Sequence, residues 1–239
     1  MWDVPDVEVT TDGAVAIVTL QRPEVYNAFT LAMVRELRRE LEGLTRDETV
    51  GAIVLTGAGK AFCSGGDVDE MYANLHRAEQ HFLDLTADHH AVVKLLVEGP
   101  KPVVCAVNGV AAGGGYGLAL CGDIRIASES ARLKPAYFRL GVAPDGGSTW
   151  LLPRLVGMSV AQRILLHDRM MDAEEARALA AGPAFALAAA KRLLAATSSN
   201  DLETQLHLER RLNSASGGTP EFREGAAAFR EKREPRFPR

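Results

Sequence analysis

The chain lacks the features that mark a membrane protein, a secreted protein or a nucleic-acid-binding protein. No apolar run approaches the roughly 20 residues that a helix needs to span a bilayer. The first ten residues, MWDVPDVEVT, show no basic-then-apolar signal pattern. Lys and Arg (27) are outnumbered by Asp and Glu (31), so the net charge of −4 indicates neither nucleic acid nor an anionic membrane as a partner. We therefore expect a cytoplasmic protein.

Cysteine is also scarce. Cys63, Cys105 and Cys121 are the three present, and their spacing is not that of a metal site. Two of them lie in apolar runs, so we expect buried, small hydrophobic side chains in a reducing compartment and no bound metal. With 239 residues, of which 47% are hydrophobic, the chain is long enough to form one sizeable core.

The most informative stretch runs from residue 101 to 123, KPVVCAVNGVAAGGGYGLALCGD. Val103–Val107 is a short β-branched apolar run that predicts a buried strand. Three glycines, Gly113 to Gly115, then open an apolar segment that predicts a helix. Glycine has no Cβ, so a ligand could approach the main chain closely and meet its free N–H groups, an arrangement that favours an anion or a developing oxyanion. The alternative is a tight packing joint between strand and helix.

Two further small-residue turns follow predicted strands. AFCSGGD (61–67) comes after the predicted strand Val50–Thr56, and LGVAPDGGSTW (140–150) precedes a helical stretch. Thr30 is expected to cap a helix, and Val15–Leu20 is expected to form a strand. The recurrence of strand, glycine turn and helix favours an α/β fold with parallel strands.

The last third of the chain changes character. Pro183–Ala196, a segment capped by Asn200 or Asp201, and Pro220–Lys232 all predict helices. This tail is too thin to hold a core alone. We predict a core over residues 1–180 and a C-terminal helical region over 181–239.

Two histidines lie on a predicted helix, Glu79–Val97. His89 shares a face with Phe82, Leu85 and other apolar residues, and His90 flanks it. A histidine on such a face usually packs in the core rather than acting in catalysis.

Together these segments resemble the crotonase, or enoyl-CoA hydratase/isomerase, family. The resemblance rests on motifs in family order across nearly the whole chain: RPEVYNAF, GKAFCSGGD, KPVVCAVNGVAAGGG, CGDIRIAS, GVAPDGGSTWLLPRLVG and FREGAAAFREKREPRF. It implies a spiral of ββα units followed by helices that assemble a homotrimer or a hexamer (a dimer of trimers). It also implies acyl-coenzyme A thioester substrates, with no separate cofactor.

The resemblance assigns roles to individual residues. Two backbone N–H groups, those of Ser64 and Gly114, would form an oxyanion hole around the thioester carbonyl. The positions assigned to coenzyme A are Arg22, Lys60, Ala61, Cys63, Gly65 and Asp67, and those assigned to the acyl pocket are Gly66, Val68, Gly117, Ala136 and Tyr137. For Arg22 and Lys60 the alternative is a solvated surface charge, and for Asp67 it is a helix cap or turn residue.

The sequence departs from the hydratases of this family at both catalytic glutamates. Gly117 and Ala136 occupy those positions, and neither can transfer a proton, so hydration by two carboxylates is not expected. Asp145, in PDGGSTW, matches the aspartate of the 2-(1,2-epoxy-1,2-dihydrophenyl)acetyl-CoA isomerases and related Δ3,Δ2-enoyl-CoA isomerases. The branch implies double-bond isomerisation with Asp145 as acid and base. The structural alternative for Asp145 is a residue that caps the helix beginning near Thr149.

Two other functions remain open. The 4-chlorobenzoyl-CoA dehalogenases of the family also lack both glutamates, and they have a nucleophilic aspartate matching Asp145 and a histidine matching His90. They carry tryptophan where this chain has Tyr137, and an aromatic residue where it has Gly66. The chain also passes from Leu179 almost directly to Ala181, where some twenty residues of the family pattern are absent. That gap leaves open a homologue that binds acyl-CoA without catalysis.

Overall fold

The computed structural model describes residues 5–166 and 182–238. Within these ranges the chain forms two compact units. One contains the described residues up to Gly66 together with Ala87–Lys134, and the other contains Asp67–Thr86 and the described residues from Pro135 onward. The predicted boundary between residues 180 and 181, and the apparent deletion between Leu179 and Ala181, lie outside the described residues.

Both sheets belong to the first unit. A five-stranded sheet has the order β1-β2-β3-β5-β7, in which β1 and β2 are antiparallel and the other pairs are parallel. A smaller parallel sheet has the order β4-β6-β8. The strands are β1 Val7–Asp12, β2 Val15–Leu20, β3 Ala52–Gly57, β4 Ala61–Cys63, β5 Val103–Val107, β6 Val110–Ala112, β7 Ile124–Ala127 and β8 Arg132–Lys134.

The helices within the described ranges follow the predicted order. They are α1 Leu31–Arg46, α2 Val68–Ala73, α3 Ala78–Glu98, α4 Gly114–Leu120, α5 Ser148–Val156, α6 Met158–Leu166, α7 Ala184–Ala196, α8 Leu202–Gly217 and α9 Pro220–Arg230. The expected cap of α1 is confirmed, because the Thr30 side chain accepts a hydrogen bond from the Met33 N–H at 3.2 Å. Asp201 caps α8 in the same way, through the Thr204 N–H at 2.8 Å. None of the helices in these ranges has the length and apolarity that crossing a membrane requires.

Each unit has its own core. In the first, β2 and β3 bury alternate side chains, as a half-buried strand should, and α1 buries a stripe at helical spacing (Met33, Val34, Leu37 and Leu41). In the second, α9 packs against the start of α3, where the rings of Phe82 and Phe222 lie 4.7 Å apart between centroids. The three cysteines are free and buried, as predicted.

The smaller sheet explains how two glycine turns come together. Strands β4 and β6 are parallel neighbours, with Ala61 opposite Val110 and Cys63 opposite Ala111. Their carboxyl ends therefore lie at the same edge of the sheet, where ligands commonly bind in α/β proteins. Ser64–Gly66 leaves one strand at this edge and Gly113–Gly115 leaves the other.

Candidate active site

The turn after β4 holds its backbone in a shape that only glycine adopts easily. Gly65 has a φ of +98°. A Cβ built on Gly65 would lie 2.8 Å from the Ala112 oxygen and 3.3 Å from the Gly114 nitrogen. The turn is thus in close contact with the Gly113–Gly114 backbone, and no side chain fits between them.

The three amides of this turn have different partners. The Ser64 N–H donates to the Tyr26 carbonyl at 3.0 Å, and the Gly65 N–H interacts with the Cys63 sulfur. The Gly66 N–H has no hydrogen-bond partner among residues 5–166 and 182–238. The assignment of the Ser64 N–H as an oxyanion donor is therefore wrong, because that donor is already engaged. Gly66, which the sequence placed in the acyl pocket, carries the available amide instead.

The second turn supplies another available donor. Gly113, with a φ of +52°, donates its own N–H to the Lys134 carbonyl at 3.3 Å. Gly114 is the first residue of α4, so its N–H has no acceptor within the helix. The described part of the chain provides no other acceptor for it. Two amides, those of Gly66 and Gly114, are thus left without partners on adjacent turns.

The glycines also serve as the packing joint that the sequence left as an alternative. A Cβ on Gly114 would lie 2.5 Å from Cζ of Phe29, and one on Gly115 would lie 2.2 Å from the Cys63 oxygen. The packing explanation therefore holds, because the joint needs glycine for close packing. The ligand-binding explanation stays a prediction, based on the Gly114 N–H that has no acceptor among the described residues.

Asn27 holds the turn after β4, Ser64–Gly66 (the donor turn), in place through buried hydrogen bonds. It is fully buried with a φ of +56°. Its side-chain amide donates to the carbonyls of Ala58 (2.9 Å), Ala61 (2.9 Å) and Phe62 (3.2 Å), and its Oδ1 accepts the Arg22 N–H at 2.9 Å. Asn27 therefore ties the loop that holds the Ser64 N–H to the chain on either side of β4.

His89 lies against the Gly114 turn. Its ring stacks at 4.8 Å on Phe29, and its Cε1 would be 3.0 Å from a Cβ on Gly114. Neither ring nitrogen has a hydrogen-bond partner within the described ranges. Burial lowers the pKa of His89 to about 4, a shift that the Gly114 backbone partly opposes, so the ring is neutral at pH 7. The packing role expected for His89 is confirmed, while His90 is buried beside it, with 6.1 Å between the ring centroids.

In the second unit, Asp145 lies in the turn before α5. Its main-chain carbonyl accepts hydrogen bonds from the Ser148 hydroxyl (2.8 Å), the Ser148 N–H (3.1 Å) and the Tyr137 hydroxyl (3.1 Å). Its side chain does not cap α5, whose first turn has no side-chain cap. The capping alternative for Asp145 is therefore wrong.

The Asp145 carboxyl is instead poorly solvated. Its Oδ1 is buried without a hydrogen-bond partner in the described part of the protein. Burial raises the pKa of Asp145 to about 7, against the opposing effect of the nearby Tyr137 hydroxyl. A carboxylate with such a pKa is a stronger base than an ordinary aspartate and can both accept and return a proton near neutral pH.

The sequence analysis missed a second buried carboxyl in this unit, Glu209 on α8. Its Oε2 accepts the Gly147 N–H at 2.8 Å, and its Oε1 accepts a short hydrogen bond from the Thr149 hydroxyl. Burial and then the charge of Asp145 raise the pKa of Glu209 to about 8, although both hydrogen bonds oppose this shift. The available signal was periodicity, because Gln205 and Glu209 lie on the same helix face as Leu202 and Leu206.

The two positions where the sequence lacks a catalytic glutamate, Gly117 and Ala136, differ in their surroundings. Gly117 is buried within α4. Ala136 has a φ of +55°, which is unusual for a residue with a Cβ. Tyr137 is 4% exposed and supports the Asp145 turn through its hydroxyl, and burial raises its pKa well above its usual value. Neither Gly117 nor Ala136 supplies an acid or a base.

Two of the residues that the sequence assigned to coenzyme A make contacts within the protein. Arg22 donates to the Ala28 carbonyl and pairs with Asp6 at 3.8 Å. Asp67 is the N-cap of α2, accepting from the N–H groups of Asp69 (3.0 Å) and Glu70 (3.1 Å), as the sequence alternative held. Lys60 is exposed.

The other assigned positions lie next to the donor turn or begin α2. Ala61 and Cys63 are buried in β4, and Val68 is the first residue of α2. Burial raises the pKa of the Cys63 thiol to about 12, so this thiol is not a nucleophile at neutral pH. Within the described ranges, no cluster of three or more His, Cys, Asp and Glu could hold a metal ion.

Comparison with known proteins decides the family. The model of the family described as enoyl-CoA hydratase/isomerase matches residues 10–180, well over half of the chain. The chain belongs to the enoyl-CoA hydratase/isomerase family. The expected crotonase-like α/β fold is also confirmed: the crystal structure of an enoyl-CoA hydratase from Mycobacterium avium subsp. paratuberculosis K-10 has a TM-score of 0.76 and 30% identity, covering 99% of this chain and 100% of that one.

The relatives within the enoyl-CoA hydratase/isomerase family have different names. A 1,2-epoxyphenylacetyl-CoA isomerase from Escherichia coli (strain K12) is 38% identical over 95% of this chain and 95% of its own. A probable enoyl-CoA hydratase from Rhodobacter capsulatus is 41% identical over 93% of both chains. The 4-chlorobenzoyl coenzyme A dehalogenase-2 of Arthrobacter sp is 34% identical over 93% of this chain and 89% of its own.

Proposed function

We propose that the protein is an acyl-CoA isomerase that shifts a double bond through a thioester enolate, with Asp145 as acid and base. The observation that carries the proposal is the Asp145 carboxyl itself, whose buried Oδ1 has no partner within the described residues and whose pKa is about 7. The name of the Escherichia coli relative, an isomerase of an acyl-CoA, supports the same reaction class. The assembly we propose for the chain is a homotrimer or hexamer.

The chemistry follows from charge. The ionised Asp145 removes a proton from the carbon next to the thioester carbonyl. The C–H electron pair is then delocalised over the acyl double bond and the carbonyl group, which gives a dienolate. The carbonyl oxygen gains the negative charge, and the Gly66 and Gly114 amides stabilise it, each contributing about 3–4 kcal/mol by analogy with other oxyanion donors. The protonated Asp145 then returns the proton two carbons along the chain. No other reactant is needed, and the aspartate is regenerated.

Hydration is not proposed, although the Rhodobacter capsulatus relative is named a probable hydratase. Adding water requires one group to activate the water and another to protonate the carbon, and the family positions for these groups hold Gly117 and Ala136. An isomerisation needs one group that both accepts and donates a proton. Asp145 can meet that requirement alone, whereas the two-carboxylate mechanism would need a second acidic residue at a family position.

A second candidate is nucleophilic attack by Asp145 on an aryl- or acyl-CoA, with His90 assisting hydrolysis of the ester. The specific observation in its favour is the dehalogenase relative, 34% identical over 93% of this chain. The Asp145 pKa of about 7 supports this nucleophilic role less well than it supports the acid–base role, because a partly protonated carboxyl is a weaker nucleophile at neutral pH. The third candidate is a homologue that binds acyl-CoA without catalysis.

Deuterium exchange tests the proposal. The protein is incubated with a 3-enoyl-CoA in D₂O, and deuterium incorporation and double-bond position are followed by proton NMR. We expect exchange and isomerisation with the wild-type protein and with His90→Gln, and loss of both by at least about 10³-fold with Asp145→Asn, as expected for removal of an acid–base group.

Other results identify the alternatives. A covalent acyl or aryl ester on Asp145, trapped by mass spectrometry and accumulating in His90→Gln, supports the second candidate and contradicts the isomerase. Tight binding of acyl-CoA thioesters with neither exchange nor turnover supports the third. Activity that survives in Asp145→Asn refutes the assignment of the base.

A further inference from the structure

We propose that Phe29 is a positioning residue that sets the spacing of the two donor amides, because its main chain holds the Gly66 donor while its ring supports the Gly114 donor. The inference deepens the proposed function and rests on it for the role of the two amides. Its own basis is the set of contacts that Phe29 makes with the donor turn and with the start of α4, all of which lie within the first unit.

The main chain of Phe29 orients the Gly66 amide. The Phe29 N–H donates to the Gly65 carbonyl at 2.8 Å, and a single β-bridge pairs Phe29 with Gly66. The Gly65 carbonyl and the Gly66 N–H belong to one planar trans peptide group, in which they point in opposite directions. The hydrogen bond from Phe29 therefore directs the Gly66 N–H away from the Phe29 main chain. It also polarises the peptide group, which makes that N–H a better donor.

The ring of Phe29 reaches the second donor. A Cβ built on Gly114 would lie 2.5 Å from Cζ and 3.1 Å from Cε1 of Phe29, so the end of the ring lies against Cα of Gly114. A Cβ on the preceding Gly113 has more room, since it would lie 3.8 Å from Cα of Gly65 and 4.0 Å from the Ser64 oxygen. The ring thus limits how closely the residue that carries the amide can approach Phe29.

The chain on either side of Phe29 is anchored. Two positions earlier, the buried Asn27 side chain donates to carbonyls on both sides of the start of β4. One position later, the Thr30 side chain caps α1 through the Met33 N–H at 3.2 Å. The main chain at Phe29 is therefore held between two fixed points, and its hydrogen bond to the donor turn starts from a rigid base.

His89 keeps the ring of Phe29 in place. The two ring centroids lie 4.8 Å apart, and Cε1 of His89 would lie 3.0 Å from the same Cβ on Gly114. Phe29 is 5% exposed and His89 is 1% exposed. Because protein interiors are close-packed, the Phe29 ring cannot turn away from Gly114 without displacing its neighbours. One side chain thus links the two donors, and its length determines their separation.

Shortening this side chain tests the link. Phe29→Leu removes the end of the ring, and we expect kcat for a 3-enoyl-CoA to fall about 10–10²-fold with KM within about threefold, as for a group displaced by up to about 1 Å. Phe29→Met keeps the reach of the side chain without the ring and should recover at least about threefold of that loss. An unchanged kcat in Phe29→Leu overturns the proposal, and so do equal losses in the two variants.

Absorption spectroscopy tests the link without turnover. The probe is cinnamoyl-CoA, whose thioester is conjugated with a phenyl ring, so its absorption band moves to longer wavelength when the carbonyl oxygen accepts hydrogen bonds. We expect this red shift with the wild-type protein. At saturating Phe29→Leu the shift should be smaller by at least about half, because the two donors no longer converge on one oxygen. The same shift with both proteins contradicts the proposal.

A double variant isolates the contact between the ring and Gly114. In the wild type, Gly114→Ala brings a Cβ against Cζ and Cε1 of Phe29. Phe29→Leu removes both of these atoms. Gly114→Ala should therefore lower kcat/KM at least about tenfold less in the Phe29→Leu background than in the wild type, since residues in contact do not act independently. An equal loss in the two backgrounds overturns the proposal.

The matched control is Phe222→Leu. Phe222 is a fully buried phenylalanine of the second unit, where it packs against Phe82. Its effect on kcat/KM should multiply with that of Gly114→Ala within about twofold. If Phe222→Leu offsets Gly114→Ala as Phe29→Leu does, the effect comes from a looser core and the proposal is wrong. If Asp145→Asn remains active, the assignment of the base fails, whereas the cinnamoyl-CoA band still decides the role of Phe29.

Discussion

Replacing Asn27 with alanine is expected to destabilise the protein strongly and to loosen the donor turn. The side chain has two amide protons, shared among three carbonyls, and one oxygen acceptor in use. At about 1 kcal/mol for each of three net hydrogen bonds, the loss is about 3 kcal/mol. Alanine at a φ of +56° adds about 1 kcal/mol. Since the Ala61 carbonyl keeps a second donor, Asn108 at 3.1 Å, we expect a total of about 3–4 kcal/mol.

The assay is urea unfolding followed by circular dichroism, with Asn27→Gly as the matched variant. Glycine loses the same hydrogen bonds but accepts the positive φ, so it should be about 1 kcal/mol more stable than alanine at this site. A loss of 3–4 kcal/mol is a large share of the 5–15 kcal/mol typical of folded proteins, so the midpoint should fall clearly. A free energy of unfolding for Asn27→Ala that lies within about 1 kcal/mol of the wild-type value would refute the reasoning.

Three further predictions follow from the site. Gly114→Ala places a Cβ 2.5 Å from Cζ of the buried Phe29, so the turn must shift: kcat/KM for an acyl-CoA should fall about 10²–10³-fold as the Gly114 amide is displaced, together with a lower urea midpoint; an unchanged kcat/KM contradicts the donor role. Asp145→Asn should be more stable than the wild type at pH 8: with its pKa raised to about 7 in the folded state, the ionised aspartate destabilises the fold increasingly from about pH 4 to pH 7, by at most about 4 kcal/mol, and the difference should vanish near pH 4 in unfolding experiments. Cys63, with a pKa of about 12, should resist iodoacetamide at pH 8 until the protein unfolds, and rapid labelling of the native protein would show that it is accessible.

The sequence predicts most of the elements because their local signals are strong. Strands β2 and β5 and the cap Thr30 were found at their observed positions, and the cap of α8 was one of the two predicted candidates, Asn200 or Asp201, since alternation and capping depend on neighbouring residues. Strands β1, β4, β6 and β8 were missed, β4 because residues 61–67 were predicted as a turn. The last three of these have only three residues each, too few for a pattern to appear, and they exist because partner strands lie beside them.

The site was predicted less completely, because it depends on contacts between distant parts of the chain. The Ser64 amide looks available in the sequence, and only the Tyr26 carbonyl, 38 positions earlier, removes it and leaves Gly66 as the donor. Glu209 lies 64 positions after Asp145, and its pairing with the Asp145 turn depends on how α8 packs. The oligomeric state and the roles assigned to coenzyme A contacts remain predictions.

The crowding around Gly114 and Gly115 has a wider consequence for inferring activity in relatives of this protein. Any homologue that keeps the same joint between sheet and helix must keep residues without side chains there, whether or not it still turns over a thioester, because a larger residue would collide with Phe29 or with the chain at Cys63. The backbone geometry of the turn can therefore be retained in a homologue that has lost the reaction. A change of chemistry, or its loss, should therefore become visible first at the positions whose side chains would transfer the proton, which hold Gly117, Ala136 and Asp145 in this chain.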